Sequence, residues 1–275
     1  MNLRLPPELI DRIVDHLFDN LPTLTSIRFS NRAFNASCRR YIFRTMELDV
    51  YDPDGLKLRI KQFEQLVASS PNIMPLVKEL TLNNLVYIVY NHDPELVESI
   101  SGLISRLTQV AAFDFGTEFY TDWDDWPSAI RSVVKLPLSS PGLRSAGIFN
   151  VKGAPTSLLG ACPALEHLTL WNTTFEDDGP NVPQPRQRLQ SLDVAFSNPD
   201  QVAGGIPVDL SHLQHLKMTS FDCLNGPWAW NIIVEPASKS LKSLHIELGM
   251  YMIFTSRTQF LTIHRRGRHL GSNRI

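Results

Sequence analysis

Apolar positions follow helical spacing in the first fifty residues and strand spacing after them. Leu9, Ile10, Ile13, Val14, Leu17 and Phe18 fall three and four apart, with Asp11, Arg12, Asp15 and His16 opposite, which predicts one amphipathic helix. Pro6-Pro7 opens it, because a proline in a first helical turn lacks only an N–H that has no intrahelical partner there. Glu8 complements the positive helix end. Asn20 to Pro22 ends the helix. Thr23 is placed to cap a second short one carrying Leu24, Ile27 and Phe29, and a third runs from about Asn31 through Phe34, Cys38 and Tyr41 to Phe43. A three-helix unit over residues 1–48 buries too little surface to be comfortable alone. Some of its apolar side chains therefore need company, from the rest of the chain or from a partner.

Past residue 48 a phrase of three apolar slots, Leu-x-x-Leu-x-Leu in outline, returns seven times. Its members begin at Val77, Val110, Leu143, Leu165, Leu189, Leu213 and Leu241, with steps of 33, 33, 22, 24, 24 and 28 residues. These steps lie in or slightly above the range of leucine-rich repeats. Each phrase predicts a short strand whose alternate residues point inward, and stacking the phrases buries one continuous core. Between them, helices are expected at about Leu56 to Ala68, Pro94 to Leu107, Pro127 to Leu136 and Pro155 to Ala161. Alternating helix and strand imply a parallel sheet. The later connections are rich in Pro, Gly and Asn, as in Asp178 to Pro185, and predict loops. The expected fold is α/β: three N-terminal helices, then an irregular repeat solenoid with a curved parallel sheet over 49–250, then a basic, poorly ordered or shortened tail over 251–275.

Composition narrows the class. Charged residues make up 20% and apolar ones 43%, an ordinary globular mix that excludes a disordered acidic chain and a collagen-like fibre. A net charge of -2 supplies no field for phosphate backbones or anionic membrane, so neither nucleic acid nor membrane is an expected partner. Cys38, Cys162 and Cys223 are far apart and have no Cys-x-x-Cys spacing, which argues for a reducing compartment. The early prolines and acids leave no signal-peptide segment, and cytosol or nucleus is the expected location. Asn35-Ala36-Ser37 and Asn172-Thr173-Thr174 match the glycosylation triplet but matter only on secretion. The tail carries Arg257, Arg265, Arg266, Arg268 and Arg274 without interleaved aromatics, and reads as a disordered end rather than a nucleic-acid surface.

Leu5-Pro6-Pro7-Glu8-Leu9-Ile10, then Ile13 and Leu17, then Ser30-Asn31-Arg32-Ala33-Phe34, then Tyr41-Ile42-Phe43-Arg44, resembles the F-box in order, spacing and residue type. It looks closest to the variant abundant in mushroom-forming fungi. Phe34 stands where that variant has Trp, and Asn31 separates Ser30 from Arg32. The stretch Cys162-Pro163-Ala164-Leu165-Glu166-His167-Leu168-Thr169-Leu170 is similar to repeats of leucine-rich F-box proteins. The resemblance implies a substrate-receptor subunit of an SCF-type cullin-RING ubiquitin ligase: the F-box docks on a Skp-family adaptor and the repeats hold a target protein. It implies adaptor contacts among Leu5, Pro6, Leu9, Ile10, Ile13, Phe34, Ile42 and Phe43. Spacing alone leaves open which of these are interface and which are core, and assigns Leu17, Leu24 and Ile27 to core.

The expected concave face of the sheet carries Glu79, Thr81, Asp114, His167, Thr169, Trp171, Asp193, His215, Lys217 and His245. Candidate target contacts are His167, Thr169, Trp171, Asp193 and Lys217, and also Trp123 and Trp126 of the Asp122-Trp-Asp-Asp-Trp126 insertion. Those two rings either anchor a target or fold back on the solenoid while the acids favour the helix start at Pro127. No nucleophile elbow, zinc helix, Walker loop or dinucleotide turn is present. Asp52/Asp54 and Asp177/Asp178 lie in turns. Enzyme activity, cofactor and metal are therefore not expected. The alternative to the ligase reading is an F-box scaffold for protein interaction outside ubiquitination.

Overall fold

The first helix, α1 (Pro7–Asp15), starts as expected, with Pro6 at the cap, Pro7 in the first turn and Glu8 beside it. Helix α2 spans Leu21–Ser30 and α3 spans Arg32–Ile42. The cap of α2 differs from expectation. Asn20 Oδ1 accepts the Thr23 N–H at 3.0 Å, so Asn20, not Thr23, takes the orphan donor of the first turn. This computed structural model describes residues 5–30, 32–85, 87, 93–178, 188–196, 206–220, 230–248 and 259–264. Cys223, the connection after Asp178 as far as Pro185, and the five tail arginines lie outside the described residues. The chain divides into two compact units, Met1–Ala146 and Gly147–Ile275.

In the first unit, Ile10, Val14, Leu24 and Cys38 form the helical core, with Leu17, Ile27, Phe34, Tyr41 and Ile42 packed on it half-buried. A polar clasp joins α1 to α3. Ser37 Oγ donates to Asp11 at 2.6 Å and Tyr41 Oη to Asp15 at 2.6 Å, and Arg40 pairs with both acids. The Tyr41 hydrogen bond, with Arg40 beside it, holds the Asp15 carboxyl below its ordinary range.

The same unit holds strands β1 (Thr45–Asp49), β2 (Glu79–Asn83) and β3 (Ala112–Asp122), parallel and in sequence order. Helix α4 (Pro53–Ser69) follows β1 and is capped by Asp52, whose carboxylate accepts the Gly55 N–H at 3.1 Å. A 3-10 turn over Pro71–Leu76 leads into β2. The helix Pro94–Ile104 is capped by Asp93 through the Leu96 N–H at 3.0 Å, and the helix Ser128–Leu138 follows a short 3-10 turn at Trp123–Asp125. Burial falls on the even strand positions, Leu80, Leu82, Phe113 and Phe115, as a pleat with one face packed requires.

The second unit repeats the scheme. After β4 (Ser145–Lys152), a strand that begins just before the division, come β6 (His167–Trp171), β8 (Ser191–Phe196), β9 (His215–Ser220) and β10 (Ser243–Leu248). From β6 to β10 these pair in parallel. A further strand, β11 (Gln259–His264), pairs antiparallel with β10 inside the stretch expected to be a tail. Two short strands, β5 (Ala154–Pro155) and β7 (Phe175–Glu176), form a separate ladder beside the small helix Ser157–Gly160. The protein is thus mixed α/β, built on parallel strands.

All seven phrases are strands, and an eighth was missed. Phe43-Arg44-Thr45-Met46-Glu47-Leu48 carries the same slots, with Met46 beside Leu80 and Leu48 beside Leu82. Equivalent slots meet at every parallel step described, as Leu168 with Leu192, then Leu216, then Leu244. One backbone fork recurs with them. In the first unit the Arg44 carbonyl accepts the N–H groups of Lys78 and Glu79, the Lys78 carbonyl those of Ala111 and Ala112, and the Ala111 carbonyl those of Arg144 and Ser145. In the second, Glu166 does so for Gln190 and Ser191, Gln190 for Gln214 and His215, and Gln214 for Lys242 and Ser243, every bond between 2.7 and 3.0 Å. The acceptor is always the second residue of a phrase. Because the fork uses backbone atoms only, side chains vary at that slot without cost.

Asparagine takes the left-handed region at three points along the strands: Asn84 and Asn172, which directly follow β2 and β6, and Asn150 within β4 have φ of 59°, 47° and 58°, a conformation asparagine tolerates better than most residues. Asn172 Nδ2 donates to Asn150 Oδ1 at 3.1 Å, and the Thr173 hydroxyl is buried on the Ile148 carbonyl at 3.0 Å. The glycosylation triplet at Asn172 is therefore a strand terminus.

Candidate interaction surfaces

Two surfaces gather the residues singled out in the sequence. The first is α1. Leu9 and Ile13 are one turn apart on it, Leu5 lies two residues ahead of its start, and the three are 45%, 40% and 47% exposed. Pro6 is exposed beside Leu5. Ile10 and Val14 turn inward, at 5% and 0%, because one residue along a helix rotates the side chain by about 100°. The expected contact at Ile10 is therefore corrected: it is a core residue of the helical unit. Phe34 and Ile42 pack against that core and are half-buried, as is Phe43. Phe18, Leu21 and Phe29 are exposed as well, at 62%, 52% and 74%. Phe29 lies five residues from the buried Leu24 on the same helix, which turns it about 140° away, a signal available in the sequence.

The second surface is the outer face of the strands, taken unit by unit. In the first unit Glu79 binds Arg44 Nε at 2.8 Å and the Thr45 hydroxyl at 2.8 Å, while Glu47 accepts from Asn83 Nδ2 at 2.8 Å. Asp114 is half-buried on the same face. Burial, then the Glu79 charge, push its carboxyl up from the ordinary value.

In the second unit Lys217 reaches Asp193 at 3.4 Å and Glu247 at 3.7 Å. Asp193 and Lys217 are register neighbours on β8 and β9. His215 Nδ1 lies 2.8 Å from Ser243 Oγ across the next pair. Trp171 is 45% exposed, His167 is exposed and Thr169 half-buried. The structure thus brings Asp193 and Lys217 together and keeps Trp171 at the surface. Glu247, absent from the expected set, completes the ion network. The exposed Lys217–Asp193 pair orients side chains and contributes little to stability.

Trp123 and Trp126 are corrected as target contacts. They are 3% and 1% exposed, with ring centroids 5.1 Å apart and Trp126 edge-on to Phe115 at 6.4 Å. Trp126 Nε1 donates to the Thr121 hydroxyl at 3.2 Å, so the buried indole keeps its hydrogen bond. Asp122 caps the short turn and Asp124 pairs with Arg131 of the next helix at 3.5 Å. The fold-back reading of this insertion is the one the geometry supports.

Other polar groups are structural. Asp178 accepts the Thr156 hydroxyl at 2.7 Å and the Ser157 N–H at 3.1 Å. Burial pushes the Cys162 thiol up to about 12, far from a nucleophile's range. Among the described residues no group of three His, Cys, Asp or Glu side chains is arranged to hold a metal, and no helix is long and apolar enough to cross a membrane.

Against known proteins, no family model matches the chain and no curated protein does. Among solved structures, a Bacteroides fragilis protein determined by a structural genomics consortium is similar over 64% of this chain at 15% identity and a TM-score of 0.29. The chain spans 44% of that protein's length.

Proposed function

We propose that this chain is the substrate-receptor subunit of an SCF-type ubiquitin ligase, its F-box held by a Skp-family adaptor and its leucine-rich repeats holding a protein target. One observation carries the reading. Leu9 and Ile13, four residues apart on α1, and Leu5 just ahead of that helix are left exposed by a helical unit whose core is already closed by other residues. A stripe of residues four apart on one helix is the form in which a helical face docks into a partner's apolar surface. The repeats supply the other half of the job. Their outer strand face carries Trp171 and the Asp193–Lys217–Glu247 network, a mixed polar and aromatic surface of the kind protein interfaces use. No catalytic group is required of the chain, since holding a target beside a ubiquitin-charged enzyme works by proximity.

The test is substitution of the stripe. Leu9→Asp with Ile13→Asp is expected to abolish capture by a purified Skp-family adaptor while the circular dichroism spectrum and melting temperature stay near those of the parent. Undiminished capture rejects the docking face. Capture retained without co-purification of a cullin from cells selects the scaffold reading outside ubiquitination.

A further inference from the structure

We infer that a groove at the junction of α2, α3 and the end of α4 is a docking site for an acidic peptide segment bearing a leucine- or phenylalanine-like side chain. The groove holds about 270 Å³, less than the ~300–1,000 Å³ of a small-molecule site and suited to an anchoring side chain or two. None of its lining residues belongs to α1, which keeps it apart from Leu5, Leu9 and Ile13, while Phe43 is shared with the adaptor contacts that the resemblance implies.

Its floor and walls are apolar. Ile73 is buried at the base, Phe43 is half-buried, Leu66 is exposed at the rim, and Phe29 projects from the last turn of α2 with 74% of its surface free. Its charge is all of one sign. Arg28 and Arg39 line it and no acid does. Among the described residues neither arginine has a carboxylate in ion-pair range, and the Arg39 guanidinium donates only to the neutral Asn72 side chain at 3.3 Å. Glu64 of α4 pairs with Arg106, and Asp11 and Asp15 of α1 pair with Arg40.

Arg28 is also pre-oriented at the groove. Its guanidinium is stacked over the Phe29 ring at 4.5 Å, which presets the plane of the fork. A carboxylate meets such a fork with two parallel hydrogen bonds. A neighbouring apolar side chain then covers Phe29 and Phe43.

The experiment uses the full chain and fluorescently labelled short peptides read by anisotropy: a leucine pair flanked by glutamates, the same pair flanked by lysines, and a serine pair flanked by glutamates. The glutamate–leucine peptide is expected to bind, weakening as salt is raised, with each other peptide at least about tenfold weaker. Arg39→Glu and, separately, Phe29→Ser are each expected to weaken it about tenfold, and Arg39→Glu to improve the lysine–leucine peptide. Phe29 is exposed, so its variant tests the site without threatening the fold. Equal binding of the glutamate and lysine peptides, binding indifferent to both substitutions, or no peptide binding at all overturns the inference. Adaptor capture measured on the same variants separates this outcome from failure of the α1 stripe.

Discussion

In the strand array, the three apolar slots of the phrases from Val77 to Leu213 are at most 4% exposed. In the helical triplet, Leu5, Leu9, Ile13, Phe18, Leu21 and Phe29 are at least 40% exposed. The same residue types thus do two jobs. A phrase leucine is covered because the next repeat brings an equivalent leucine into register beside it, as Leu168 and Leu192 show. A helix of the triplet has no such successor. Its core is closed with four fully buried side chains and a half-buried ring around them, and the apolar residues left over face outward. Regular repetition hides hydrophobic surface, whereas a small unit that ends leaves some on display.

The comparison breaks most sharply if leucines from the two regions cost the same to remove. Leu192→Ala empties a fully enclosed slot and is expected to lower the unfolding free energy by about 2–5 kcal/mol. Leu9→Ala is expected to change it by no more than about 0.5 kcal/mol. Urea titrations of both variants decide the point, and a large loss at Leu9 would show that α1 is covered by its own chain after all.

A smaller effect tests how strands of the array end. Asn172→Ala forces a β-carbon without a local hydrogen bond into the left-handed region and deletes the link to Asn150. The expected cost is about 1–2 kcal/mol, and Asn172→Gly is expected to lose less because glycine adopts that φ freely. If the alanine variant melts with the parent, the asparagine terminus is not a strain point.

The smallest effect is a slope. The Cys162 thiol, raised to about 12 in the folded chain, keeps its proton in the native state where the unfolded thiol, near 8.5, loses it. The stabilisation is therefore whole below that unfolded value and falls as pH rises from there towards the folded one, by about 1 kcal/mol at pH 9. Cys162→Ala is expected to flatten this part of the pH profile relative to the parent. Matching slopes would mean the thiol is open to water when folded.

The strands were legible because each phrase is local. Three apolar slots at fixed spacing state both the pleat and its inward face, and the seven phrases named from the sequence are all strands. The eighth, from Phe43, was overlooked because its slots hold Phe, Met and Leu and because it overlaps the end of the helical stretch. Helix starts were legible at Pro7 and Pro94, whereas Asp52, read from the sequence as a turn residue, caps a helix that begins at Pro53 rather than near Leu56 and takes Asp54 into its first turn. The candidate contacts were less so. For Trp123 and Trp126 the sequence left target anchor and fold-back both open, and their burial depends on Phe115 and Thr121, which only the folded chain brings to the rings. Ile10 and Leu9 are equally apolar neighbours, and the packing of α1 against Cys38 and Leu24 decides which of them is enclosed.

By itself, then, the order of residues determined the period of each element, the inward slots of the strands and the helix starts marked by proline, since backbone geometry dictates these within a few residues. Tertiary structure alone decided which helix faces stay uncovered, which backbone carbonyls fork between repeats, and where Arg28, Arg39 and Phe29 meet Phe43 and Ile73. Those outcomes depend on neighbours far away along the chain, and periodicity says which side of an element is apolar but not what lies against it.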